Sequence, residues 1–148
     1  MSTLSNHQLV GTRFGTLDVK DEDIYSFESG LVGFSDLKRF VLVNTSSASS
    51  FCWLQSLERP ELAFLLTDPL VYLRTYEPAA TVGDECAVFT TVNIPPGKPQ
   101  EMTLNLAGPI YVDAADRKGW QVVLDNGAYT TKHRVFAEAS DQCGEQVA

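Results

Sequence analysis

The sequence is short of the groups that most enzyme chemistry needs. It has two histidines, His7 and His133, and three cysteines, Cys52, Cys86 and Cys143. An odd number of cysteines with no C-x-x-C spacing makes neither a disulfide framework nor a zinc site. Cys52 lies in an apolar run and reads as a small core residue. No Gly-Lys-Ser/Thr loop and no G-x-G-x-x-G opening a helix is present, so nothing cradles a phosphate, and no serine sits in a nucleophile elbow. Positive charge is scarce as well: 11 Lys and Arg stand against 19 Asp and Glu, a net charge of −8. Such a chain is repelled by nucleic-acid phosphates and by anionic membranes. No apolar run is long enough to span a bilayer. The N-terminal stretch has no basic segment followed by an apolar one, so it does not read as a signal peptide. A cytoplasmic protein with reduced thiols is expected, with no metal, no cofactor and no catalytic residues. The acids fall in four clusters, Asp21/Glu22/Asp23, Glu58/Glu61, Asp84/Glu85 and Asp113/Asp116. All four lie in expected turns, where a solvated rim is the plain reading, and nothing marks a carboxylate pair for glycoside chemistry.

What the sequence has is a period of two. From Ala87 to Val112 two strands are joined by a loop containing Pro95, Pro96, Gly97 and Pro99, residues that cannot continue a ladder. Val88, Thr90, Val92 and Ile94 point one way in the first strand. In the second, Met102, Leu104 and Leu106 form an apolar row, and Thr103 and Asn105 form a polar row facing outward. The chain has 148 residues, 44% hydrophobic and 20% charged, which suggests one domain able to bury about 68–70% of its unfolded surface.

In chain order, residues 1 to about 10 read as a flexible polar N-terminus. Arg13 to Val19 is a strand, the run from Lys20 to Asp23 a solvated turn, and Ile24 to Phe27 extended. Gly30 and Gly33 supply positive φ or close backbone approach. Ser35 to Arg39 reads as a short helical turn with Ser35 as N-cap. Strands follow at Phe40–Val43, at Phe51–Leu57, with Trp53 in the core, and at Leu62–Leu66. Leu70 to Tyr76 reads as a turn of helix after Asp68-Pro69, and Glu77 to Glu85 as a loop. Trp120 to Leu124 is a strand, and Asn126-Gly127 is a hairpin signal with Tyr129 to Val135 as the return strand. Residues 11–135 form the β domain and 136–148 a polar tail. Many short strands between regular turns predict an all-β barrel or sandwich with at most short helical turns.

A set of short motifs recurs in a specific order: Arg13-Phe14-Gly15, Phe27-x-x-Gly30-Leu31-x-Gly33-Phe34, Phe40-Val41-Leu42, Trp53-Leu54-Gln55-Ser56, Pro60-x-Leu62-Ala63-Phe64 and Thr67-Asp68-Pro69. They continue through Ile94-Pro95, Met102-Thr103-x-Asn105-Leu106, Pro109-Ile110, Gln121-Val122-Val123-Leu124 and Tyr129-x-Thr131-x-His133. In this order and spacing, from Arg13 to Val135, the chain resembles the FliW family of flagellar assembly factors. It departs from the family in a short Tyr76–Cys86 segment and in Ala107-Gly108-Pro109-Ile110, where many members have Leu-Ala-Pro-Ile. The resemblance implies a non-enzymatic cytoplasmic binding protein. Its partners would be CsrA, a basic RNA-binding translational repressor, and flagellin. Such a protein keeps CsrA from silencing flagellin mRNA, acting allosterically and without binding RNA itself, and flagellin binding releases CsrA.

An acidic module suits a basic protein partner, although acidity alone also serves solubility. The expected contact surface comprises Thr103 and Asn105 on the polar row, the neighbouring Pro95 and Met102, and the rim acids Asp84, Glu85, Asp113 and Asp116. For Met102 and Pro95 the competing reading is core packing and loop stiffness. Two alternatives stand beside the leading one. One is a flagellin chaperone without CsrA binding, suggested by the short Tyr76–Cys86 segment. The other is a small-ligand or carbohydrate-binding β-module with Trp53, Trp120 and Tyr111 as its stacking platform.

Overall fold

The computed structural model describes residues 7–12, 15–44, 50–80, 86–124 and 127–136. The fold is all-β, as the period-two pattern predicts. Strands β1 (His7–Thr12) and β2 (Gly15–Lys20) form an antiparallel pair in register from His7↔Lys20 to Thr12↔Gly15. Then come β3 (Tyr25–Ser26), β4 (Arg39–Val43), β5 (Phe51–Ser56), β6 (Ala63–Thr67) and β7 (Cys86–Asn93). The last strands are β8 (Thr103–Leu104), β9 (Ile110–Asp113), β10 (Lys118–Gln121) and β11 (His133–Arg134).

The pairings make a closed circuit, β3-β4-β5-β6-β7-β9-β10 and back to β3. A closed circuit of strands is a barrel, which removes most of the exposed edge an open sheet would leave. The barrel is antiparallel except where β10 meets β3 in parallel at Lys118↔Ser26. Besides pairing with β6 at Thr90 and Thr91, β7 serves two further neighbours: Cys86–Phe89 pair with β9, and Val92–Asn93 pair with β8.

Alternation sorts the side chains. Phe27, Phe40, Leu54, Leu66 and Ile110 are fully buried in the main core, with Leu37, Cys52 and Val112 close to it. Phe27 and Phe40 meet edge to face at 5.0 Å. Each such side chain contributes about 1.5–3 kcal/mol by leaving water. A second cluster, Tyr76, Val88, Leu104 and Leu106, lies beneath Leu70, Tyr72, Leu73 and Tyr129. A third joins Val10 and Val19 of the β1–β2 pair to Val41 of β4.

Several expectations are corrected. Residues 7 to 10 are not loose: they belong to β1, because pairing with β2 satisfies their backbone and lets Val10 bury. Ser35 to Arg39 is not a helical turn: Ser35 and Asp36 form a turn, and Arg39 already opens β4. Leu37 must enter the core, and the Lys38 carbonyl accepts from Phe27 N–H at 2.7 Å, which requires extended backbone. Pro69–Val71 is a 3-10 turn, started by the Asp68 side chain accepting from Leu70 N–H at 2.9 Å. Within the expected loop after it, Glu77–Ala80 is one helical turn, α1. Met102, Leu104 and Leu106 are all buried, but only Thr103–Leu104 pair as strand, and Leu106 already lies in the turn that follows. Trp53 is half-buried rather than central. It alternates with the inward-facing Cys52 and Leu54, so it points out of the barrel. The Asn126-Gly127 hairpin does not form around β10. Asp125 and Asn126 lie outside the described residues, β10 pairs with β9 and β3, and β11 pairs with β8. Thr130 O accepts from both Leu106 N–H and Ala107 N–H, which holds the return segment against the β8–β9 connection.

Candidate functional site

The polar residues expected at a contact surface are engaged by their own backbone. Asn105 Oδ1 accepts from Ala107 N–H at 3.1 Å, and Asn105 N–H donates to Thr91 O at 3.0 Å, so Asn105 staples the connection from β8 to β9. Asp113 Oδ1 accepts from Ala115 N–H at 2.9 Å and Asp116 N–H at 3.1 Å, closing the β9–β10 turn. Met102 is 4% exposed and belongs to the core, as its competing reading held. Pro95 is half-buried and its carbonyl accepts from Lys98 N–H at 3.0 Å. Thr103 is half-buried, paired with Asn93 on one side and Arg134 on the other. Asp116 is exposed. Asp84 and Glu85 lie outside the described residues.

A different surface gathers the features of a protein contact. Gly119 must face inward against Phe27, so Trp120 faces outward by strand alternation. It stacks on its cross-strand partner Tyr111 with centroids 5.6 Å apart and planes 5° apart. The pair is anchored below: burial raises the Tyr111 phenol pKa, and its hydroxyl lies 3.5 Å from Pro78 O. Next to Trp120, Gln121 ties together loops distant in sequence. Its Oε1 accepts from Val32 N–H at 2.8 Å and its Nε2 donates to Gly108 O at 2.8 Å. Val122 N–H donates to Pro109 O and Leu124 N–H to Ala107 O, extending the same tie. Trp120 thus stands at 40% exposure on a rigid base, and Val32 and Val123, on the segments that Gln121 and Leu124 tie down, are each 63% exposed. Beside Trp120 a shallow depression is lined by Ser26, Glu28, Ser29 and Lys118. An exposed aromatic with apolar neighbours and a polar rim is the anatomy of a docking surface. Sequence reasoning missed Val32 and Val123 because each sits in an apolar run that reads as buried; the available signal was Gly119, whose lack of a side chain forces Trp120 out.

The aromatic platform of the ligand-binding alternative is split. Tyr111 and Trp120 stack, but Trp53 lines a separate groove with Leu65, Val92 and Ile94 on the β5–β6–β7 face. His133 pairs in β11 opposite Leu104 and is half-buried. No group of three or more His, Cys, Asp or Glu could hold a metal ion among the described residues. No helix among them is long and apolar enough to cross a membrane.

Comparison with known proteins gives the same family. The family model described as FliW protein matches residues 8–135. The chain belongs to the FliW family. A flagellar assembly factor FliW from Ruminiclostridium cellulolyticum is 36% identical over 143 residues, covering 88% of this chain and 95% of that protein. One from Magnetococcus marinus is 37% identical over 126 residues, covering 78% of each. The crystal structure of a flagellar assembly factor FliW superposes with a TM-score of 0.79 at 32% identity, covering 88% of this chain and 99% of that one.

Several FliW-like motifs of the chain have a structural reason. Gln55 is fully buried, and its Nε2 donates to Ser56 O, Pro60 O and Leu62 O at 2.9, 2.8 and 3.1 Å, folding the β5–β6 turn onto the barrel. Gly30 has φ 65°, and a Cβ there would collide with Phe34 O, so the Gly30–Phe34 turn needs glycine at that place.

Proposed function

We propose that this chain is a cytoplasmic, non-enzymatic flagellar assembly factor that binds the basic translational repressor CsrA and flagellin, exchanging one for the other. The observation that carries the reading is membership of the FliW family in a chain of net charge −8. An acidic surface raises the encounter rate with a basic partner and disfavours RNA, so the module would act on the repressor and not on its message. Antagonism then needs a difference of affinity between the RNA-competent and RNA-incompetent forms of CsrA, since equal binding to both would shift nothing.

The contact surface on this reading centres on Trp120, and Asp116 at the end of the same β9–β10 hairpin supplies rim charge. Thr103 and Pro95 stay as accessory contacts. Titration calorimetry of the purified protein against CsrA, repeated with flagellin already bound, tests the switch. Tight binding to CsrA that flagellin abolishes is the expected result. Binding to flagellin alone would replace the switch with a chaperone, and binding to neither would overturn both.

A further inference from the structure

The hydrogen bonds of β4 have a direction. Leu57 N–H donates to Arg39 O at 3.0 Å, so Arg39, Val41 and Val43 turn their backbone groups toward β5. Phe27 N–H donates to Lys38 O at 2.7 Å, so Lys38, Phe40 and Leu42 turn theirs toward β3. But β3 reaches only from Tyr25 to Ser26, and the chain before it curls into a 3-10 turn at Asp21–Asp23. Continuing the register, Leu42 would face Asp23, and no pairing is made there. The N–H and C=O of Leu42, and by the same alternation of Asn44, therefore have no backbone partner among the described residues. Beside this open edge is a cleft of about 390 Å³, walled by Leu17, Asp18 and Val19 of β2 on one side and Leu42, Val43 and Asn44 on the other. Asp23 and Tyr25 close its end.

We propose that this cleft receives an extended basic peptide, which adds as a short strand to the β4 edge at Leu42 and Asn44. Strand addition takes its affinity from main-chain hydrogen bonds and its selectivity from side chains at alternate positions. Here the charge is supplied by Asp18 and Asp23 in the wall and by Asp21 and Glu22 in the exposed turn beside it. Arg117 is engaged by Tyr25, its guanidinium 4.5 Å above the ring and 3.3 Å from the hydroxyl. The chain's own ends make poor occupants: residues 1–6 carry no charged side chain, and residues 137–148 carry Glu138, Asp141 and Glu145 with no Lys or Arg. A second copy brings the same net charge of −8. The inference stands on the open edge and its charge, and it holds whether or not CsrA or flagellin binds.

The test uses a fluorescent Lys-Val-Lys-Val-Lys-Val peptide with blocked ends, the same peptide N-methylated at alternate amides, and hydrogen exchange read by NMR. The expected result is binding at low ionic strength that gives new protection at the Leu42 and Asn44 amides. N-methylation, or Asp23→Lys in the protein, weakens it about tenfold or more, in line with losing one or two hydrogen bonds or a charge contact. Because Asp23 also accepts from Lys20 N–H at 3.1 Å, Glu22→Lys serves as a second variant that leaves that bond intact. Equal binding of the two peptides, no added protection at Leu42, or a Leu42 amide already protected in the free protein would each overturn the proposal.

Discussion

Gly119 lies flat against the ring of Phe27. A Cβ at position 119 would fall within the ring's van der Waals envelope, meeting three of its carbons. Phe27 is itself held edge-on to Phe40 at 5.0 Å, so it has little room to retreat. This contact is where β10 meets β3 and the barrel closes. Gly119→Ala is therefore expected to destabilise the fold by about 1–3 kcal/mol through overpacking. Urea unfolding should show a lower midpoint with an unchanged slope. An unchanged midpoint would mean that the Phe27 ring moves aside freely.

Gln121 carries a similar burden with hydrogen bonds. It is the shared partner of Val32 N–H and Gly108 O. Gln121→Ala leaves both without it and is expected to cost about 1–2 kcal/mol. Gln121→Glu can still accept from Val32 N–H but cannot donate to Gly108 O. Hydrogen exchange separates the two variants: protection at the Val32 amide should vanish with Ala and persist with Glu.

Alkaline pH should loosen the protein through two buried acidic groups, a thiol and a phenol. Burial pushes the Cys52 thiol from its ordinary value of 9.0 to about 11. Burial, then Tyr111 and Tyr129, also hold the Tyr76 phenol well above its ordinary value of 10.0. Both groups are raised in the folded state, so the unfolded chain loses these protons first. Their contribution is complete below pH 9 and falls as pH rises from about 9 toward 11 and beyond. Thermal unfolding across that range should show a steady decline in Tm. Cys52→Ala should decline less steeply than the parent, whatever its starting stability, and an identical slope would remove Cys52 as a contributor.

How much of this could be read from the residues depends on whether a choice is local. The strands from Phe40 to Thr67 are local: short apolar, β-rich runs bounded by Ser/Asn and Pro/Glu turns. The strand His7–Thr12 is not, since its six residues carry little apolar signal and it exists through its ladder with Gly15–Lys20. Asn126-Gly127 is a strong local turn signal that loses to a tertiary one, because His133 and Arg134 pair with Leu104 and Thr103 instead of with the neighbouring strand. The same competition between surface and backbone roles runs through the expected contact residues. Asn105 and Asp113 look like surface recognition groups in a polar row or turn, yet their side chains accept nearby backbone N–H groups. Trp53 looks like core and is half-buried, whereas Trp120 is exposed because the inward position beside it is glycine.

The exposed Trp120 and the charged Asp116 make separable predictions about partner binding. Trp120 rests on Tyr111 in a fixed orientation, so docking would immobilise little that is not already ordered. Trp120→Ala should then act on the dissociation rate, weakening CsrA binding by about 2 kcal/mol or more, as truncating a central aromatic anchor does. Its effect on stability should be small beside that, since the indole is partly exposed already. Asp116 donates its N–H to Asp113 Oδ1 but its own carboxylate projects from an exposed turn position. Asp116→Lys should slow association and flatten its salt dependence while leaving dissociation nearly unchanged. Asp113→Lys is a poorer probe, because it also removes the acceptor that closes the turn. Stopped-flow association at several salt concentrations, with surface-plasmon-resonance dissociation, distinguishes the two effects. If Trp120→Ala leaves the dissociation rate untouched, the docking surface lies elsewhere on the barrel, whatever the Asp116 variant does to the encounter.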